Sequence, residues 1–236
     1  MTESSGAWTY TISNVDSDTD ALDPEDTPTD TLTAVLSDGA GTTDSVTVTV
    51  TITGANDAPG SSTPSTQAGT EDTTFTGYAV ADFPYTDVDG ADTALISITI
   101  TVVESTGDLE KSTDGSSWSD VAANDVILNA HIQHLRLDPA DDSITPVTFT
   151  YTVEDGTQSS GTAIMTTSFA NVNDAPDASG ASGSLAAVNE DTTAPAGDSI
   201  DDIISSESDA DGTDINGVVI CTYTEDTAKG TWQYTA

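Results

Sequence analysis

The segment Ser45-Val46-Thr47-Val48-Thr49-Val50-Thr51-Ile52 alternates apolar and hydroxyl side chains without a slip. Period-two alternation is the mark of a strand with one face covered. It predicts Val46, Val48, Val50 and Ile52 inward and the threonines outward. Residues 96–102 and 147–153 read the same way, the second with Phe149 and Tyr151 buried. Asp38-Gly39, Gly41 and Asp155-Gly156 supply turn chemistry between such runs. No stretch carries helical periodicity. Short strands broken by Gly, Asp and Ser turns predict an all-β chain of antiparallel β-sandwiches.

The pattern repeats. Gly54-Ala55-Asn56-Asp57-Ala58-Pro59 recurs as Asn171-Val172-Asn173-Asp174-Ala175-Pro176, a shift of 174 − 57 = 117. Ser37-Asp38-Gly39 recurs as Glu154-Asp155-Gly156, and 155 − 38 is again 117. Glu71-Asp72-Thr73-Thr74 recurs at Glu190-Asp191-Thr192-Thr193, shifted by 119, and Asp87-Val88-Asp89-Gly90 at Asp209-Ala210-Asp211-Gly212, shifted by 122. Four motifs in one order at nearly constant spacing define a repeat. It predicts one intact unit over 60–176, the latter half of a unit over 1–59, and the first half of another over 177–236. Gly6–Thr11 resembles Gly230–Thr235, so the two halves match at their ends as well. The stretches 60–69 and 177–187, rich in Ser, Gly and Ala or Thr, read as linkers between units.

Charge then narrows the function. The 236 residues hold 41 Asp and Glu against 3 Lys and Arg, a formal charge of −38. Nucleic acid and anionic membrane surfaces are poor partners for such a chain, since both recruit positive patches. No segment is apolar enough to predict membrane insertion. Cys221 is the only cysteine, so no intramolecular disulfide forms, and its run Gly217-Val218-Val219-Ile220-Cys221 suggests a buried small hydrophobe.

Gathering carboxylates at one place costs on the order of 1 kcal/mol per close pair even in water. With almost no Lys or Arg to offset that, a divalent cation is the natural counter-charge. Calcium takes six to eight oxygens from carboxylates, amides, backbone carbonyls and water. At the first junction the repeat offers Asn56 and Asp57 on the linker, Asp87 and Asp89 in an early loop, and Asp155 in a later turn. Asn173, Asp174, Asp209 and Asp211 form the corresponding set at the second.

This arrangement resembles the cadherin-like superfamily, and within it the VCBS-type tandem repeats of large secreted bacterial adhesins of the RTX class. The motifs that carry the resemblance are Trp8-Thr9-Tyr10-Thr11, Ser37-Asp38-Gly39, the Thr/Val strand, Asn56-Asp57-Ala58-Pro59 and the two Asp-x-Asp-Gly loops. The resemblance implies calcium ions shared by successive modules, with Asn56 and Asp57 in the Asn-Asp positions and Asp87 and Asp89 in the Asp-x-Asp. It also implies that Glu71, with its copy Glu190, is the early glutamate reaching the far end of its own module. Gly54 and Asn171 stand where the family pattern has an aspartate, which implies fewer charged ligands and weaker binding.

The expected function is therefore a calcium-stiffened spacer in an extracellular, cell-surface adhesin stalk. Its partners would be neighbouring repeats of the same polypeptide, and the adhesive target, a surface glycan or host ligand, would be bound by domains elsewhere. Two alternatives are a filament subunit joined head-to-tail through complementary half-units and a glycan-binding module. No enzymatic activity is expected, because no nucleophile elbow, phosphate loop or His-centred triad is present. His131 and His134 lie in a strand-like run that would send them to opposite faces, and no third ligand joins them for zinc. Trp8, Trp118 and Trp232 read as core or strand-edge residues.

Overall fold

In a computed structural model the protein is described at residues 8–13, 15–61, 64, 66–90, 94–179, 183–204, 207–212, 217–224, 226 and 229–233. It divides into two compact units, Met1–Ala170 and Asn171–Ala236. The fold is all-β, with helix confined to segments of three to six residues among the described residues.

Among its described residues the first unit holds ten strands in three sheets. β1 (Thr29–Ser37) and β2 (Thr43–Thr51) form a two-stranded antiparallel hairpin. A five-stranded sheet runs in the order β3 (Gln67–Thr70), β10 (Ala163–Ala170), β9 (Val147–Glu154), β4 (Ser97–Val102) and β7 (Val126–Leu128). Its pairings are antiparallel except β3 with β10. The third sheet runs β6 (Ser119–Asp120), β5 (Asp108–Lys111) and β8 (Leu135–Asp138). One buried cluster draws on both larger sheets: Ile98, Ile100, Val147, Phe149, Tyr151, Val153 and Met165 from one, Leu109, Leu135 and Leu137 from the other. Period-two alternation explains this, since every second residue of β9 (Val147, Phe149, Tyr151, Val153) points into it. Tyr78 lies among these side chains and shares a 2.7 Å hydrogen bond with Thr167, which satisfies both hydroxyls.

Several expectations are corrected. β2 forms as the alternation predicts, but its apolar face is open: Val46 and Val48 are 47% and 48% exposed. In the register Leu32 faces Val48 and Ala34 faces Val46, and no third strand pairs with this hairpin among the described residues. Alternation fixes which residues share a face and says nothing about whether another layer covers it. Residues 129–134 are a 3₁₀ turn and not a strand. Residues three apart eclipse in such a turn, so His131 and His134 stack, with centroids 6.3 Å apart and rings 14° from parallel. The stretch 60–69 is not wholly linker, because β3 begins at Gln67. Trp8 and Trp232 are exposed; Trp118 is half-buried beneath the Arg136 guanidinium, 4.1 Å from its ring centroid.

The second unit contains a short helix, Ile200–Ile203, and an isolated bridge between Asp177 and Ser208. Cys221 is exposed, against the expectation of burial. The likeness of Gly6–Thr11 to Gly230–Thr235 falls partly outside the described residues. No helix among the described residues is long and apolar enough to cross a membrane.

Candidate metal centre

In the first unit the structure brings together Asn56, Asp57, Asp87, Asp89 and Asp155. A backbone bridge sets the frame: Gly60 and Thr86 exchange N–H to carbonyl bonds of 2.7 and 3.0 Å. This ties the segment after Asn56-Asp57-Ala58-Pro59 to the one entering Asp87-Val88-Asp89. The Asp-x-Asp loop is tied to itself, with the Asp89 N–H donating to Asp87 Oδ1 at 3.1 Å. It is tied to the linker as well, with the Asp57 N–H donating to Asp89 Oδ2 at 2.7 Å. Tyr85 donates its hydroxyl to Asp87 Oδ2 at 3.1 Å.

Asn56 anchors the other side. Its Nδ2 donates to Asp155 Oδ2 at 3.0 Å, its Oδ1 accepts from Thr157 Oγ1 at 2.7 Å, and its backbone carbonyl accepts from Gln158 Nε2 at 2.5 Å. Asp155 Oδ1 accepts from the Thr157 and Gln158 N–H groups at 2.5 and 2.6 Å, and the single hydroxyl hydrogen of Thr157 is shared between this oxygen, 2.8 Å from Oγ1, and Asn56 Oδ1. Both its oxygens are thus engaged by protein donors. Burial acts to raise the Asp155 pKa, but the Gln158, Asn56 and Thr157 bonds outweigh it and hold the carboxyl at about 2. Asp155 is therefore an ionised anchor for Asn56.

Asp89 is the opposite case. It is only 3% exposed, and its Oδ1 is buried with no hydrogen-bond partner. Burial pushes its carboxyl above the usual range; the Asp57 N–H opposes this, while the carboxylates of Asp87, Asp57 and Asp23 add to it. A buried polar atom without a partner costs about 1–3 kcal/mol, and more when it carries charge. The feature calls for a positive group, and the chain supplies none here: Lys111 pairs with Asp125, Arg136 with Glu110, and Lys229 with Asp226. Hard oxygen donors suit a hard cation better than a soft transition metal. Among the described residues of this unit, no three carboxylate or imidazole ligand atoms lie within 4.8 Å of one another. An ion would have to draw these side chains inward.

Asp23 is a member of this group that the motif reading missed. A Cβ placed on Gly90 would stand 3.7 Å from Asp23 Oδ2 and 3.8 Å from the Ala21 carbonyl, so the Ala21–Asp23 segment lies in van der Waals reach of the Asp-x-Asp-Gly loop. A sequence signal for Asp23 exists. Leu22-Asp23-Pro24-Glu25-Asp26 recurs as Leu137-Asp138-Pro139-Ala140-Asp141, shifted by 138 − 23 = 115.

The second motif reproduces this local pattern within its own unit. Asp177 and Ser208 exchange bonds of 2.7 and 3.0 Å. The Asp174 N–H donates to Asp211 Oδ2 at 2.7 Å and the Asp211 N–H to Asp209 Oδ1 at 3.0 Å. Asn173 Nδ2 donates to the Asp174 carbonyl at 2.8 Å, the counterpart of the 2.5 Å bond from Asn56 to the Asp57 carbonyl. Glu71 is buried at the other end of the β9–β10 hairpin from Asp155, its N–H donating to the Ala170 carbonyl at 3.1 Å. Its sequence copy Glu190 is exposed in a turn. The structure thus places Glu71 apart from the Asn56 group.

No protein-family model matches the chain, and no curated protein matches it.

Proposed function

We propose that the chain is a spacer from the stalk of a secreted, cell-surface adhesin, built of tandem cadherin-like β-sandwich modules and stiffened by calcium where the modules meet. It has no catalytic role in this reading. The observation that carries it is the buried, partnerless Asp89 Oδ1, with Asp87, Asp57 and Asp23 beside it. These residues come from three separate stretches of chain, the linker, the following loop and the preceding segment, so one ion held among them restrains all three. Asn56, held by Asp155 and Thr157, adjoins Asp57 on the same linker. The recurrence of the same hydrogen bonds at Asp174, Asp209 and Asp211 supports a tandem design.

Without the ion, carboxylates of like charge repel and the linker gains freedom; with it, the modules are cross-linked. Small-angle scattering in calcium and in chelator tests this. The reading requires a longer, stiffer particle in calcium, and equal dimensions in both would contradict it.

A second reading, self-assembly, is favoured by the open apolar face of the β1–β2 hairpin, with Leu32, Leu36, Val46 and Val48 exposed. An uncovered two-stranded sheet invites strand addition from another copy. Size-exclusion chromatography at high concentration in calcium separates the two readings, since a monomer ends the second.

A further inference from the structure

We infer that the two Asn-Asp motifs differ in how much they need the ion: the Asp57 motif depends on it, whereas the Asp174 motif carries an internal substitute. The inference rests on the calcium reading above and concerns one atom in each motif.

The comparison is between the second aspartates of the two Asp-x-Asp loops, Asp89 and Asp211. In both motifs a linker N–H donates to Oδ2 of the second aspartate at 2.7 Å. In both, that aspartate's own N–H returns to the first aspartate, at 3.1 Å in one and 3.0 Å in the other. The motifs part at the remaining oxygen of the second aspartate. Asp211 Oδ1 accepts a 2.5 Å hydrogen bond from Asn171 Nδ2. Asp89 Oδ1 accepts none.

The cause lies in sequence. The residue aligned with Asn171 is Gly54. No side chain fits there, because a Cβ on Gly54 would lie 2.1 Å from the Asp23 carbonyl oxygen and 2.4 Å from that of Leu22. Where Asn171 has room to carry a donor, the first motif packs two more acceptors. Asp89 is also fully buried while Asp211 is half-buried, so water relieves Asp211 and not Asp89. One motif thus leaves Asp89 Oδ1 without a donor, and the other meets the equivalent oxygen of Asp211 with an amide. When an ion binds the second motif, it must compete with that amide for Asp211.

Hydrogen exchange read by mass spectrometry on the full chain, in calcium and in chelator at physiological salt, tests this. In the unmodified chain, chelation should raise exchange over 55–60 by about tenfold or more, the scale set by one unsatisfied buried polar group. Exchange over 172–177 should rise by less than about threefold, the amide retaining most of that bond's contribution. Asn171→Asp replaces the donor by an acceptor and Asn171→Gly reproduces the first motif; both should make 172–177 sensitive to chelation. Three results overturn the inference: equal responses of the two segments, variants whose 172–177 segment stays insensitive, or a 172–177 segment that exchanges at the unprotected rate in both conditions. A segment 55–60 indifferent to calcium overturns the calcium reading itself.

Discussion

Replacing Asp89 by asparagine should stabilise the protein in chelator and destabilise it, relative to the parent, in calcium. Asp89 is buried, one of its oxygens accepts from Asp57, and the other has no partner. Asparagine keeps an oxygen for the Asp57 N–H, removes the charge, and turns the partnerless acceptor into a donor in the field of the Asp87, Asp57 and Asp23 carboxylates. The gain is the penalty relieved, about 1–3 kcal/mol. For a cooperative unit of the size of Met1–Ala170, each kcal/mol moves Tm by about 2–4 °C. A gain of about 2 kcal/mol therefore raises Tm by about 4–8 °C in chelator. Calcium reverses the order. An ion present at a hundred times its Kd adds about 2.7 kcal/mol to the parent and little to a variant that has lost a charged ligand. Thermal melts followed by circular dichroism, with and without calcium, read both arms. A variant less stable than the parent in chelator by as much as in calcium would refute the reasoning, because Asp89 would then be an ordinary structural carboxylate.

Further outcomes follow from the site and from the packing. The Asp155 carboxyl is held at about 2, below its ordinary value near 3.8, so its contribution is complete above pH 4 and disappears as pH falls toward 2. Asp89 acts in the opposite sense: its carboxyl is raised, so its penalty is complete at neutral pH and relieved on acidification. The Asp155 effect is isolated in the Asp89→Asn background, where adding Asp155→Asn should lower stability at pH 6 and converge with the single variant near pH 2. Ile100→Ala, at a fully buried site, should cost about 2–5 kcal/mol in denaturant unfolding. Val48→Ala on the open hairpin face should cost no more than about 0.5 kcal/mol, despite the cleaner alternation of its strand.

That contrast shows what could be read from the sequence. Alternation located β2, β4 and β9, because a strand's period is a local property of the chain. Burial is not local. Val46 and Val153 sit in equally regular strands, yet only Val153 has a second sheet over it. The histidine pair failed for a related reason. Asn129–Leu137 looks extended by composition, but packing of Ile132 into the core holds its first part as a 3₁₀ turn. Repetition is the signal that singles out residues the fold brings close together. Asn56, Asp57, Asp87, Asp89 and Asp155 converge because motifs kept in order by a repeat tend to keep their contacts. Asp155 converges in a different role, with one oxygen fixing Asn56 and the other held by Thr157 and Gln158. Asp23 was hidden in a chain with 41 acidic residues, and only its Leu-Asp-Pro context, repeated 115 positions later, singles it out.

The central claim is that a cation binds beside Asp89, and Tyr85 offers a direct reporter. Its hydroxyl donates to Asp87 Oδ2 at 3.1 Å, so a terbium ion replacing calcium would sit close enough to be excited through that ring. The account predicts terbium emission on tyrosine excitation that calcium displaces and that falls sharply in both Tyr85→Phe and Asp89→Asn. Emission unaffected by either substitution would place the ion elsewhere and contradict it.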